Sequence, residues 1–134
     1  MKTPIQIRFS DVDMARHVHN AVYLQWFELA RMTILREVAP PVNDWRTEGL
    51  ILARNEVDYR MPVHLHDKIV TEAWVSKLGD KSFDLQYAVH RTDGADQGIC
   101  ATGRSVMVCF NYLENSTIAI PTAWRTVLEK LLRK

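Results

Sequence analysis

Phe9-Ser-Asp-Val-Asp-Met-Ala-Arg-His-Val-His-Asn-Ala-Val-Tyr-Leu-Gln-Trp-Phe-Glu-Leu-Ala-Arg31 is the stretch on which the fold turns. Its second half, carried on to Val38, has helical periodicity: Tyr23, Trp26, Phe27, Ala30 and Ile34 fall on one stripe. Leu24, Leu29 and Leu35 widen that stripe, leaving Gln25, Glu28, Arg31, Arg36 and Glu37 as the polar positions. The pattern predicts a helix from about Asn20 to Val38, covered on most sides, and Pro40-Pro41 stops it. Its first half is a polar loop with two carboxylates, Asp11 and Asp13.

Upstream of the loop, Ile5, Ile7 and Phe9 alternate with polar residues, which predicts a short strand over Ile5–Phe9. Downstream, after the connection 42–49, the chain turns strand-like. Strands are predicted at about Ile51–Arg60, Lys68–Lys77, Ser82–Arg91 and Gly98–Phe110. Breaks at Met61–Asp67, Leu78–Lys81 and Thr92–Gln97 carry Pro62, Gly79-Asp80 and Asp93-Gly94. In the third of these strands Phe83, Leu85, Tyr87 and Val89 face one way and Asp84, Gln86 and His90 the other. Pro121 opens a final amphipathic helix, Thr122–Leu132. Short turns make neighbouring strands antiparallel, and only this sheet is large enough to cover the long helix. The expectation is an α+β fold, an antiparallel sheet wrapped around a long central helix. Its uncovered edges favour a homo-oligomer.

The 134 residues suit one domain, residues 1–134, and 47% hydrophobic with 25% charged content is that of a globular chain. A formal charge of +1 excludes a broad electrostatic footprint for nucleic acid. The opening residues lack the apolar core of a secretory signal, and no apolar run approaches the ~20 residues of a membrane span. These features predict a cytoplasmic protein with no membrane partner. Cys100 and Cys109 fall in one predicted strand, on opposite faces and about 30 Å apart, too far for a bridge.

A carboxylate in a loop that feeds a helix N-terminus is a chemically suggestive pairing. The free N–H groups and positive end of the helix polarise a carbonyl. A facing carboxylate attacks it or deprotonates a water that does. On spacing alone, Asp11 and Asp13 serve equally as turn-forming or capping groups, the commoner task of a loop Asp before a helix. The pairs His17/His19 and His64/His66 lack a third ligand at zinc spacing, so loop or pocket-wall histidines are expected rather than a metal site.

Phe9, Asp11, Asp13, His17, Val18, Asn20, Tyr23, Phe27, Glu28, Ala30 and Arg31 together resemble the signature of the 4-hydroxybenzoyl-CoA thioesterase family, single-domain hotdog proteins. Weaker likeness continues through Glu56–Pro62, Gly79–Phe83 and Gly103–Phe110. The resemblance implies an acyl-CoA thioesterase that needs no cofactor, built as a homodimer or a dimer of dimers, with Asp13 as nucleophile or general base. It implies a backbone N–H near Asn20 as the carbonyl-polarising donor, His17 and Tyr23 as shaping groups, and Asp11 as a structural tie. Lys81, with Ser82 beside it, corresponds to a cation directed at the CoA phosphates, and Arg60 is a further candidate. Arg104 fits either a phosphate or an acid such as Glu72. For Arg125, Lys130, Arg133 and Lys134 a solvated surface is the simpler reading. Trp26, Phe27, Trp45 and Tyr59 are the candidate pocket walls. The family usually has Gly where this chain has Arg16, in the tight turn before His17. An acyl-carrier-protein thioesterase and a non-catalytic acyl-CoA-binding protein remain as alternatives. A hotdog hydratase is disfavoured because its Asp-x-Asn-Pro-x-His pattern is missing.

Overall fold

The computed structural model describes residues 1–133; Lys134, one of the tail cations named above, lies outside the described residues. Strand β1 (Lys2–Ile5) leads through one 3-10 turn (Phe9–Asp11) and a loop into helix α1 (Val22–Val38). Strands β2 (Gly49–Tyr59), β3 (Ile69–Leu78), β4 (Ser82–Arg91) and β5 (Gly98–Asn111) follow, then a short β6 (Ser116–Thr117) and helix α2 (Thr122–Leu131). The sheet runs β1-β3-β4-β5-β2, with β6 pairing the end of β5, and every ladder is antiparallel. This is the α+β, hotdog-type arrangement: a curved sheet folded around one long helix.

The inner face of the sheet presents Thr71, Ala73 and Val75 from β3, and Phe83, Leu85, Tyr87 and Val89 from β4, all buried against α1. From the helix come Tyr23, Trp26, Phe27, Ala30, Ile34 and Val38. The Phe27 ring stacks on Tyr87, with centroids 4.4 Å apart and planes 7° from parallel. Gly103 of β5 lies under the same ring; a Cβ there would stand 2.3 Å from it. That close approach seats the helix on the sheet.

Several details depart from the periodicity. The first strand ends at Ile5, where its pairing with Ile69 stops. Phe9 is 85% exposed at the start of the 3-10 turn rather than buried in a strand. Helix α1 is covered on most sides as expected, but Leu29, counted into its widened stripe, is exposed (53%) with Met32 (41%) on the side that the sheet and α2 leave open. Cys100 and Cys109 do not split between faces as counting by two demands. The ladder slips between Val89/Ala101 and His90/Ile99, so Cys100 is the extra residue of a β-bulge. Both thiols end up buried and free, and burial pushes both upward, Cys109 to about 12.

Candidate active site

Everything at the front of α1 hangs on Asp11. Its buried carboxylate, 2% exposed, accepts the Arg8 backbone N–H at 2.8 Å and the Arg8 side chain at 2.8 and 3.1 Å. Burial pushes this acid upward, but the hydrogen bonds and charge of Arg8 outweigh it and hold it below the ordinary carboxylate range. The Asp11 carbonyl accepts the His19 N–H at 2.8 Å, tying the loop back on itself.

Between these ties the chain makes a small hairpin. Val12 bridges Val18, the Asp13 N–H donates to the His17 carbonyl at 3.0 Å, and the Arg16 N–H donates to the Asp13 carbonyl at 2.9 Å. A three-residue connection of this kind ends in a left-handed residue, a position glycine fills best. Here Arg16 occupies it, at φ 64°. The departure at Arg16 therefore keeps the left-handed turn and places a strained cation in it. Among the described residues the exposed Asp13 carboxylate accepts only the Ala15 N–H, at 2.9 Å.

The helix entrance follows at once. Val22 N–H bonds the His19 carbonyl, and the Ala21 N–H bonds His19 Nδ1 at 3.1 Å. The Asn20 and Tyr23 N–H groups meet no acceptor among the described residues. Two donors at the positive end of α1 are thus left for a ligand oxygen. The Asn20 carbonyl accepts the Tyr59 hydroxyl at 2.7 Å, which fixes that peptide plane. Tyr23 is buried beneath it, edge-on to Tyr59 at 5.0 Å. Burial, with the charges of Cys100 and Tyr59, pushes the Tyr23 phenol up to about 12, so it stays protonated at neutral pH.

The predicted site residues fall in three places. His17, Asn20, Tyr23 and Arg60 line one cavity of about 240 Å³, together with Tyr59, Met61 and Pro62. Asp13 lines the neighbouring cleft, of about 650 Å³, with Phe9, Val12, Arg16 and His64–Asp67. The rings of His17 and His64, edge to face at 5.1 Å, stand between the two. Lys81 and Ser82 lie elsewhere. They follow β3, whose ten residues carry the chain some 30 Å from its Ile69 end. Ile69 pairs with Ile5 just ahead of the Asp11 loop, so within one chain Lys81 sits at the far end of the sheet.

Other expectations need correction. Trp45 packs on Trp124 at 5.5 Å, beyond the C-terminal end of α1, and walls no part of either cavity. Phe27 is wholly core, and Trp26, though buried, lines a separate cleft of about 640 Å³ with Arg8, Asp11, Gln25 and Leu29. Arg104 does not pair with Glu72; it bridges Glu56, at 3.0 Å, and Asp84 on the outer face of the sheet. Glu72 pairs instead with His90 and Arg133. His64 and His66 line the Asp13 cleft as pocket-wall histidines, while sequence reasoning did not single out the rest of the 61–67 loop, which walls both cavities and is marked in the sequence only by its Pro62 break. Among the described residues no three His, Cys, Asp or Glu side chains are placed to hold a metal ion.

Comparison with known proteins bears on this geometry. The sequence model of the Thioesterase-like superfamily matches residues 7–131. The chain is 25% identical to the long-chain acyl-CoA thioesterase FadM of Escherichia coli (strain K12), over 99% of this chain and all of that one. A Thermus thermophilus thioesterase, solved with coenzyme A and zinc, is 30% identical and superposes with a TM-score of 0.81, covering 95% of both chains. The 1,4-dihydroxy-2-naphthoyl-CoA thioesterase of Synechocystis, at 20% identity, shares the fold with a TM-score of 0.84 over 97% of this chain and 96% of that one.

Proposed function

Since the chain belongs to the Thioesterase-like superfamily, we propose that this single domain hydrolyses acyl-CoA thioesters by the route its likeness to the 4-hydroxybenzoyl-CoA thioesterase family implies. The observation that carries the reading is the hairpin of residues 12–18, which presents the exposed Asp13 carboxylate just ahead of a helix entrance whose Asn20 and Tyr23 N–H groups have no partner among the described residues. A thioester lying across the His17–His64 contact would offer its carbonyl oxygen to the Asn20 or Tyr23 N–H and its carbonyl carbon toward Asp13. Donors at the helix end stabilise the oxyanion as the carbonyl is attacked. As general base, Asp13 takes a proton from the attacking water, and collapse of the tetrahedral intermediate expels the CoA thiolate, which recovers that proton. As nucleophile, Asp13 forms an acyl anhydride that water then hydrolyses. Free acid and CoA thiol result either way, and water is the only co-substrate.

Arg60 lines the Asn20 cavity, which supports a role for it in meeting the CoA moiety. Lys81 is too distant to serve the same chain's Asp13, so its proposed contact with the CoA phosphates requires a second copy. The free edge of β2, with exposed Leu52 and Tyr59, supports a homodimer. Asp13→Asn is the decisive variant. It is expected to lower turnover by about 100-fold or more while CoA affinity is kept. Turnover at the wild-type level would remove Asp13 from the chemistry, and tight binding of many acyl-CoAs without hydrolysis of any would make the protein a binding module.

A further inference from the structure

We propose that Arg16 selects thioesters whose acyl group ends in a carboxylate, holding that end in the cleft beside Asp13. The inference rests on the hydrolase reading above and goes beyond it in naming the acyl class.

Arg16 is one of two residues other than glycine with positive φ among the described residues, and a long side chain there costs about 1 kcal/mol relative to a relaxed turn. Glycine would close the same hairpin without that strain. What arginine adds is a cation at the lip of the Asp13 cleft, and it forms no ion pair with any described residue. The two carboxylates of the cleft do not occupy it. Asp67 is engaged by Arg91 at 3.1 Å and by the His64 N–H at 2.8 Å, and Asp13 receives the Ala15 N–H. His64 and His66 line the same cleft, with His64 Nδ1 turned to Asp67 at 3.5 Å rather than to the arginine. Phe9, Val12 and Leu65 supply the apolar surface between. An apolar cleft ending in an unpaired cation suits a short hydrocarbon chain with an anionic end.

Position decides which part of the substrate supplies the anion. The hydrogen bond from Arg16 to the Asp13 carbonyl brings the two Cα atoms within about 7 Å. Arg16 is therefore tied to the reacting carbon, whereas the phosphates of CoA lie at the far end of the long pantetheine arm. The anion fits the acyl side.

Binding of two non-hydrolysable thioethers, carboxyalkyl-CoA and alkyl-CoA of equal chain length, tests this directly. Wild type should bind the carboxyl-terminated analogue about tenfold or more tightly. Arg16→Gly relaxes the turn yet should erase the preference, and Arg16→Lys should keep part of it. The ratio of kcat/KM for adipoyl-CoA over hexanoyl-CoA should fall in parallel. A wild type without preference, or a preference that survives Arg16→Gly, overturns the proposal. So does an equal loss on both CoA thioethers that vanishes with the matching pantetheine thioethers, since the anion would then be a CoA phosphate. A wild type that hydrolyses no thioester but shows the Arg16-dependent preference would refute the hydrolase reading and leave this one standing.

Discussion

Gly103→Ala should loosen the contact that seats the central helix. A Cβ at residue 103 would stand 2.3 and 2.5 Å from two ring carbons of Phe27 and 2.8 Å from the Glu56 carbonyl oxygen. Carbon atoms rest about 3.5–4.0 Å apart, so ring or strand must retreat by about 1 Å. Neither has room. Phe27 has no exposed surface and is stacked on Tyr87, while Glu56 is held in the β2–β5 ladder opposite Arg104. Overpacking of a tight core costs about 1–3 kcal/mol, and a clash that includes backbone belongs at the upper end, about 3 kcal/mol. For a chain of this size that lowers Tm by about 10 °C. Urea denaturation of wild type and Gly103→Ala measures the loss. Adding Phe27→Leu, which removes the clashing ring atoms, should recover part of it, so the two changes should be clearly non-additive. An unchanged midpoint in Gly103→Ala, or strict additivity with Phe27→Leu, would refute the argument that this glycine exists to admit the ring.

Three further outcomes follow from the site. Because Arg8 holds Asp11 below the ordinary carboxylate range, its ion pair contributes stability above about pH 4 that fades as pH falls through the depressed folded value. Asp11→Asn should therefore cost about 1–3 kcal/mol at pH 7 and progressively less below pH 4, and a penalty independent of pH in urea titrations would deny the tie. With the Tyr23 phenol pushed up to about 12, Tyr23→Phe should leave the pH–rate profile unchanged across about pH 5–10, and loss of an alkaline limb in kcat/KM would contradict it. Lys81→Ala should raise KM for acyl-CoA by about tenfold with little change in kcat; if KM does not move, Lys81 has no place in a CoA site formed between copies.

The match between expectation and structure is uneven in an instructive way. The long helix and the four main strands lie within about two residues of their predicted bounds, because the stripe of α1 and the alternation of β4 are strong local signals. The alternation failed at Cys100, where one extra residue in β5 reverses the count. It failed also at Phe9, whose place in the periodic run was overruled by the Asp11–Arg8 tie winding the chain into a turn.

For the site, the sequence alone determined which groups enter the loop before α1: a carboxylate at Asp13, an arginine where glycine is usual, and a helix that starts within two residues of Asn20. Those are properties of neighbours in the chain. Only the tertiary structure decided that Asp13 and Asn20 open onto adjoining cavities on either side of His17 and His64, and that the 61–67 loop helps wall both. It alone carried Lys81 to the far end of the sheet and Trp45 onto Trp124. Local periodicity records which way a side chain points on its own element. Where that element ends up facing another depends on bulges, turn handedness and close approaches such as Gly103 under Phe27, and these arise from packing between residues distant in the chain.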